Sequence, residues 1–299
     1  MGGLRVGGKG SRPCSGGGAY AQSRNSRITG HTRPAGGAGP AGADAGCLQD
    51  IHCLAVQGRR VMNTIDTDIC IIGGGSGGLS VAAGAAQMGA RVVLFEADRM
   101  GGDCLNSGCV PSKALLAAAK AAHHAHGNPA MGVTGAAPAI DFASVKRHVA
   151  DVIATIAPHD SVERFTGLGV HVIEERAAFA ERRLVRSASH EVRAKFFVVA
   201  TGSRAAVPPV PGLDTVPFHT NETIFADAEK PAHLAIIGGG PIGIEMAQAH
   251  ARLGCKVTVI EAMTILGKDD SEAAAILKDR LVKEGVELVE GIGVAGVSG

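Results

Sequence analysis

Two stretches of this chain are near copies of one another: DICIIGGGSGGLSVAAGAAQMGARVVLFEA, starting at Asp68, and LAIIGGGPIGIEMAQAHARLGCKVTVIEA, starting at Leu234. Gly73, Gly75, Gly78 and Glu96 recur as Gly238, Gly240, Gly243 and Glu261, each displaced by 165 positions. Each copy reads as a buried strand (Ile69 to Ile72 in the first), a glycine turn, a helix and a second strand that ends on the acid. That is a βαβ unit with the G-x-G-x-x-G spacing, in which one glycine makes the turn, one admits a pyrophosphate and one lets helix and strand close up. The helix N-terminus presents free N–H groups to phosphate, and the acid is placed to accept from a ribose hydroxyl. One such pattern in a glycine-rich chain is weak evidence. Two complete copies in register imply an α/β fold with two dinucleotide sites.

Composition narrows the remaining classes. A net charge of +1 gives no field for nucleic acid or for an anionic surface. Residues Ile69 to Ala90 carry no charge, but the GGGSGG inside them argues against a membrane helix. Seven cysteines in 299 residues are too few for a secreted disulfide framework, so a reducing, cytoplasmic setting is expected. Cys70 and Cys255 lie in or beside apolar runs and read as small buried hydrophobes. Residues 1–61 are rich in glycine and arginine, lack a signal-type apolar core, and read as a disordered extension ahead of the more orderly chain that begins at Met62.

Between the copies lies GGDCLNSGCVPSK, with Cys104 and Cys109 ahead of an Ala/Leu-rich helix. Zinc is one reading, because His123, His124 and His126 follow; their spacing fits a finger poorly, and they read better as the end of a helix stopped at Gly127, where imidazolium suits the dipole. A permanent disulfide is another, but residues five apart on a regular helix bridge only if the first turn is distorted. A labile dithiol is the third: a helix N-terminus stabilises thiolate, and two dinucleotide sites nearby supply a use for it. Residues 141–165 read as one amphipathic helix opened by Asp141, and 170–199 as short strands and turns. KFFVVATGSRAAVPPVPG gives a strand, a turn at Thr201-Gly202 and a proline-rich crossing, which puts a domain boundary near 208–218. The second copy continues with strands near 234–237, 257–261 and 286–289.

GGGSGG with Glu96, GGDCLNSGCVPSK, VVATGS, and GGGPIGIEMA with Glu261 together resemble the flavoprotein pyridine nucleotide-disulfide oxidoreductases, the family of dihydrolipoamide dehydrogenase, glutathione reductase and mercuric reductase. The resemblance runs from about Thr67 to the end of the chain. It implies two Rossmann-like domains: residues 62–218 binding FAD and carrying the redox dithiol, and residues 219–299 forming part of an NAD domain. It implies Cys104–Cys109 as a redox disulfide, Cys109 against the flavin and Cys104 exchanging with a dithiol or disulfide substrate. Lys113 resembles the family lysine near the flavin and Glu245 its carboxylate partner beside the nicotinamide, a pair whose burial would tune the flavin. Thr201 and Gly202 fall in the cofactor-adjacent turn. Glu261, followed by Ala262, Met263 and Thr264 with no arginine, favours NAD(H) over NADP(H). The family continues beyond a segment of this length, so both domains are expected to be incomplete at Gly299, leaving open strand edges and apolar surface. The family's C-terminal His/Glu pair has no match among the twelve histidines, and the homodimer typical of the family is doubtful for this chain. A non-catalytic dinucleotide-binding fragment is the alternative.

Overall fold

The computed structural model describes residues 4–6 and 62–299, all within one compact unit. After the short strand β1 (Leu4–Val6), the chain runs through β2 (Asn63–Ile72), α1 (Ser76–Gln87), β3 (Val92–Phe95), α2 (Gly102–Asn106) and α3 (Cys109–Ala125). A small hairpin, β4 (Gly127–Asn128) and β5 (Val133–Thr134), leads to α4 (Phe142–Ile156), α5 (Val162–Gly167), β6 (Val170–Ile173), β7 (Ala178–Glu181), β8 (Leu184–Arg186) and β9 (His190–Val199). The remainder is β10 (His233–Ile237), α6 (Pro241–Arg252), β11 (Lys256–Glu261), α7 (Ser271–Lys283), β12 (Glu287–Glu290) and β13 (Val294–Val297).

The larger sheet has the order β6-β3-β2-β9-β8-β7, in which β6, β3, β2 and β9 are parallel and β8 and β7 add an antiparallel flank. All four residues of β3 are buried, as expected of a parallel strand covered on both faces. Ile71, Val92 and Leu94 pack on one face against Leu79 and Ala82 of α1 and Phe165 of α5. Cys70, Val93 and Phe95 pack on the other against Val192 of β9 and Val185 of the antiparallel flank. Cys70 is thus the buried hydrophobe its setting suggested, and burial pushes its thiol up to about 12. Strand β2 begins at Asn63 rather than Ile69, because β9 pairs with it from His190 to Val199.

The smaller sheet is parallel, in the order β10-β11-β12. Its principal core takes Ile244, Met246 and Ala247 from α6 with Leu253 just beyond it, and Leu115 and Ala119 from α3 with Phe142 and Val149 from α4. Apolar packing therefore crosses the expected boundary at 208–218.

Two expectations need correction. The single helix over 141–165 is interrupted: α4 ends at Ile156, Pro158 lies in a 3-10 turn, and Ser161 caps a separate α5 by accepting from the Arg164 N–H. Of the extension read as disordered, residues 4–6 form a strand antiparallel to β13, and the rest of 1–61 lies outside the described residues. The uncharged stretch from Ile69 is split among a strand, a glycine turn and α1, and among the described residues no helix is long and apolar enough to cross a membrane. Among the described residues, the far edge of β9 is only partly paired. β8 covers it only from Glu191 to Arg193, and beyond that Phe196 and Val199 are 68% and 64% exposed.

Candidate active site

The two glycine cradles share one backbone plan. Gly73 and Gly238 turn the chain at φ +112° and +113°, values that favour glycine. A Cβ on Gly78 would sit 1.9 Å from Gly73 O, and one on Gly243 would sit 2.2 Å from Gly238 O, so each helix packs on its strand at a distance only glycine permits. The carboxylate of Glu96 accepts from Gly74 N–H at 2.6 Å, and from Ala97 and Asp98 N–H at 2.8 Å each. Glu261 accepts from Gly239 N–H at 2.8 Å and from Met263 N–H at 2.9 Å. These backbone donors, Gly239 first, hold the Glu261 carboxyl below its usual range. The acids therefore brace their own cradles first. With roughly four acceptor positions on a carboxylate, each still has capacity for a ribose hydroxyl.

Helix capping separates the helices at the site from the others. α4, α5 and α7 are capped by the side chains of Asp141, Ser161 and Asp270. α1, α2, α3 and α6 start after Gly75, Gly101, Gly108 and Gly240, with no side-chain cap. In α1 and α6 the first turn also carries no acid, so its N–H groups and positive dipole end face outward from a glycine cradle. That arrangement suits the pyrophosphate of a dinucleotide, and the residues present fit a dinucleotide cofactor at each cradle.

The dithiol segment is strapped to the first cradle. Gly101 N–H donates to Gly74 O at 2.9 Å, and Gly75 and Gly101 form an isolated parallel bridge. A Cβ on Gly102 would lie 2.7 Å from Gly75 Cα. Cys104 lies in α2 and Cys109 opens α3, with the helix broken at Ser107 and Gly108 between them. The break removes the geometric objection to a bridge, which held only for a continuous helix. Both cysteines are free thiols here, Cys104 half-buried and Cys109 exposed. A hydrogen bond to Cys109, followed by burial, raises the Cys104 thiol above its ordinary value. Thr201 and Gly202 follow Ala200, whose N–H donates to Ile72 O at 2.8 Å and whose carbonyl would lie 2.1 Å from a Cβ on Gly73. The main chain just after β9 therefore walls the first cradle, in an irregular segment with no turn at Thr201-Gly202.

Lys113 Nζ reaches Glu245 Oε1 at 2.6 Å and joins α3 to α6, but the pair stands at the surface, 61% and 34% exposed, and not in the burial anticipated for it. Zinc shared by Cys104, Cys109 and the histidines is ruled out by position. Fourteen residues of one helix separate Cys109 from His123, roughly 21 Å along the axis. His123 is not held as imidazolium either: burial, and then Arg252, lower its pKa, while its Nε2 lies 2.7 Å from Arg280 Nη2. The Gly75–Gly102 approach and the two Gly N-caps flanking the cysteines, Gly101 and Gly108, went unread in the sequence; the GG pairs at 74–75 and 101–102 were the available signal.

Residues 67–299 match the pyridine nucleotide-disulphide oxidoreductase family, and the chain belongs to it. The family uses FAD and NAD(P)H. A mercuric reductase of Bacillus cereus is 33% identical over 227 residues, 76% of this chain and 36% of that protein. A dihydrolipoyl dehydrogenase of Geobacillus stearothermophilus is 36% identical over 237 residues, 75% of this chain and 48% of the relative. The HOCl-induced flavoprotein disulfide reductase RclA of Escherichia coli superposes with a TM-score of 0.64 at 28% identity, over 75% of this chain and 49% of that one. The chain spans about half or less of the length of these relatives.

Proposed function

We propose that this chain forms the electron-transfer part of a FAD-dependent oxidoreductase that passes two electrons between NAD(H) and a dithiol or disulfide substrate, most like dihydrolipoamide dehydrogenase. Residues 62–218 hold FAD and residues 219–299 contribute to the NAD site. The observation that carries the reading is the strap from Gly101 and Gly102 to Gly74 and Gly75, which ties the Cys104–Cys109 segment to the first cradle. A reducing compartment such as the cytoplasm suits an exposed free thiol at Cys109.

Bound flavin supplies two-electron exchange with the nicotinamide. The chain's own part is sulfur chemistry. Cys104, as thiolate, attacks one sulfur of a substrate disulfide, and one substrate thiol leaves. Cys109 then attacks Cys104 Sγ, closing the protein bridge and releasing the second thiol, so that two electrons and two protons have passed to the substrate. Run in reverse, the same steps oxidise a dithiol. Cys104 holds its proton through the hydrogen bond to Cys109, so its attack is favoured at alkaline pH unless a base is supplied. The order of the two, Cys109 inward and Cys104 outward, rests on the family resemblance; exposure in the chain alone runs the other way. Lys113, anchored by Glu245, places a cation one turn beyond Cys109.

Several mercuric reductases match as well as the dihydrolipoyl dehydrogenases do, which favours Hg(II) reduction as the second reading. The chain, refolded with FAD and given NADH, is to be assayed with lipoamide and with Hg(II). We expect stoichiometric flavin, a Cys104–Cys109 bond that opens on reduction, and lipoamide turnover abolished by Cys104→Ser. Preferential Hg(II) reduction would select the second reading; colourless protein without a reversible bridge would overturn both.

A further inference from the structure

Two glutamates end adjacent strands of the smaller sheet: Glu261 on β11 and Glu290 on β12 are register partners. Both grip the loop that follows β11. Glu261 accepts from Met263 N–H at 2.9 Å, and Glu290 Oε1 accepts from Ile265 N–H at 2.7 Å. Gly291 N–H adds a bond to Met263 O at 2.9 Å, and Leu266 N–H donates back to Gly239 O in the cradle, also at 2.9 Å. The loop is therefore tied to both strand ends and to the glycine turn. Glu290 has a second partner: Lys278 Nζ, from α7, lies 3.3 Å from each of its oxygens. The pair is only partly exposed, 27% for Lys278 and 33% for Glu290.

We infer that Glu290 is a positioning residue that keeps the second cradle selective for NAD(H) over NADP(H), by sequestering Lys278 beside the loop that follows Glu261. The inference rests on the reading of that cradle as a nicotinamide-dinucleotide site. NADP(H) differs from NAD(H) by a 2′-phosphate at the ribose end, where Glu261 stands. Two carboxylates against one ammonium leave this corner negative, and the ammonium is already engaged. A phosphate arriving there meets repulsion and finds no free donor from Lys278. Glu290→Gln keeps an oxygen for Ile265 N–H, removes one negative charge and releases Lys278. Lys278→Gln does the opposite and makes the corner more negative. The double variant returns the formal charge to its starting value.

The test is the dissociation constants of NADH and of NADPH, measured by titration of the full chain at low and at high salt. We expect Glu290→Gln to raise the affinity for NADPH relative to NADH by about fivefold at low salt and by less at high salt, the size of a partly exposed charge pair. Lys278→Gln should move the ratio the other way, and the double variant should restore it. A purely structural role for Glu290 would weaken both nucleotides alike, so a ratio that stays put in both single variants while NADH still binds overturns the inference alone. If neither nucleotide binds the unsubstituted chain, the reading of the second cradle falls and takes this inference with it. Should Glu290→Gln fail to fold, the opposite shift in Lys278→Gln decides the matter.

Discussion

The centres of the two cradles match bond for bond. Gly73 N–H donates to Phe95 O at 2.8 Å and Gly238 N–H to Ile260 O at 2.9 Å; Gly101 N–H reaches Gly74 O and Leu266 N–H reaches Gly239 O, both at 2.9 Å. Every one of these positions keeps the 165-residue displacement of the sequence repeat. The surroundings differ. The first cradle is walled by the Ala200-Thr201 main chain, and its exit loop runs directly into the cysteine helices. The second exits through Leu266 to an aspartate-capped helix and is clamped by Glu290. A duplicated frame thus differs by what is attached to it: one copy leads into the cysteine pair, the other holds its exit loop still.

The sharpest test of that contrast substitutes the same glycine in each copy. Gly73 and Gly238 have nearly identical φ, so alanine brings similar backbone strain, about 1–3 kcal/mol at either site. At Gly73 the new Cβ also lies 2.1 Å from Ala200 O and 2.6 Å from Ala200 C, atoms of the main chain that cannot rotate away, whereas at Gly238 nothing lies within 4 Å. Gly73→Ala should cost about 2 kcal/mol more than Gly238→Ala in denaturant unfolding, from overpacking alone. Equal costs would show that the wall around the first cradle yields, and the contrast would go with it.

Much of this arrangement is legible in the sequence alone. Glycine spacing and the strand-ending acids define each βαβ unit, because backbone approach and strand termination are local properties of those residues. The CxxxxC segment and its helix were equally plain. What stayed hidden depends on contacts between distant parts of the chain. Leu115 and Ala119 of α3 pack with Ala247 of α6 in one core, so the apolar stripe of α3 could be read, but not the element it faces. Nothing local to Glu290 marks it out, because its partners Ile265 N–H and Lys278 come from the loop after β11 and from α7. Pro158 was visible, and its effect on the 141–165 helix follows from a missing N–H; the amphipathic pattern that continues across it concealed the break.

A second way to separate the copies uses pH. His250 of α6 occupies the position held by Ala85 in α1: Cys255 N–H donates to His250 O just as Ala90 N–H donates to Ala85 O. Its ring is 1% exposed, with Nδ1 2.8 Å from Met246 O. Burial first, and Lys146 to a lesser degree, push its pKa down to about 4, against the opposing effect of the Met246 carbonyl. The unfolded chain takes up a proton near pH 6.5 that the folded chain refuses until about pH 4. Stability is therefore full above that window and falls through it as the medium is acidified, by up to about 3 kcal/mol. His250→Ala, which makes α6 resemble α1, should flatten this slope in urea melts at pH 7 and pH 4.5 while lowering stability at pH 7 by about 2 kcal/mol through the cavity it leaves. An unchanged slope would assign the acid sensitivity elsewhere.

The smallest expected effect concerns the exit loops. Leu266 is the one non-glycine residue with positive φ among the described residues, at 55°, where the first copy has Gly101 at 84°. Left-handed backbone costs leucine about 1 kcal/mol more than glycine. Leu266 is nonetheless only 9% exposed, within the core shared by α3, α4 and α6, and burial of such a side chain contributes about 2 kcal/mol. Leu266→Gly, which copies the first cradle into the second, should therefore lower stability by only about 1 kcal/mol, the difference between lost packing and relieved strain. Stabilisation would mean that the side chain contributes little packing, and that leucine occupies this turn for a reason other than the core beneath it.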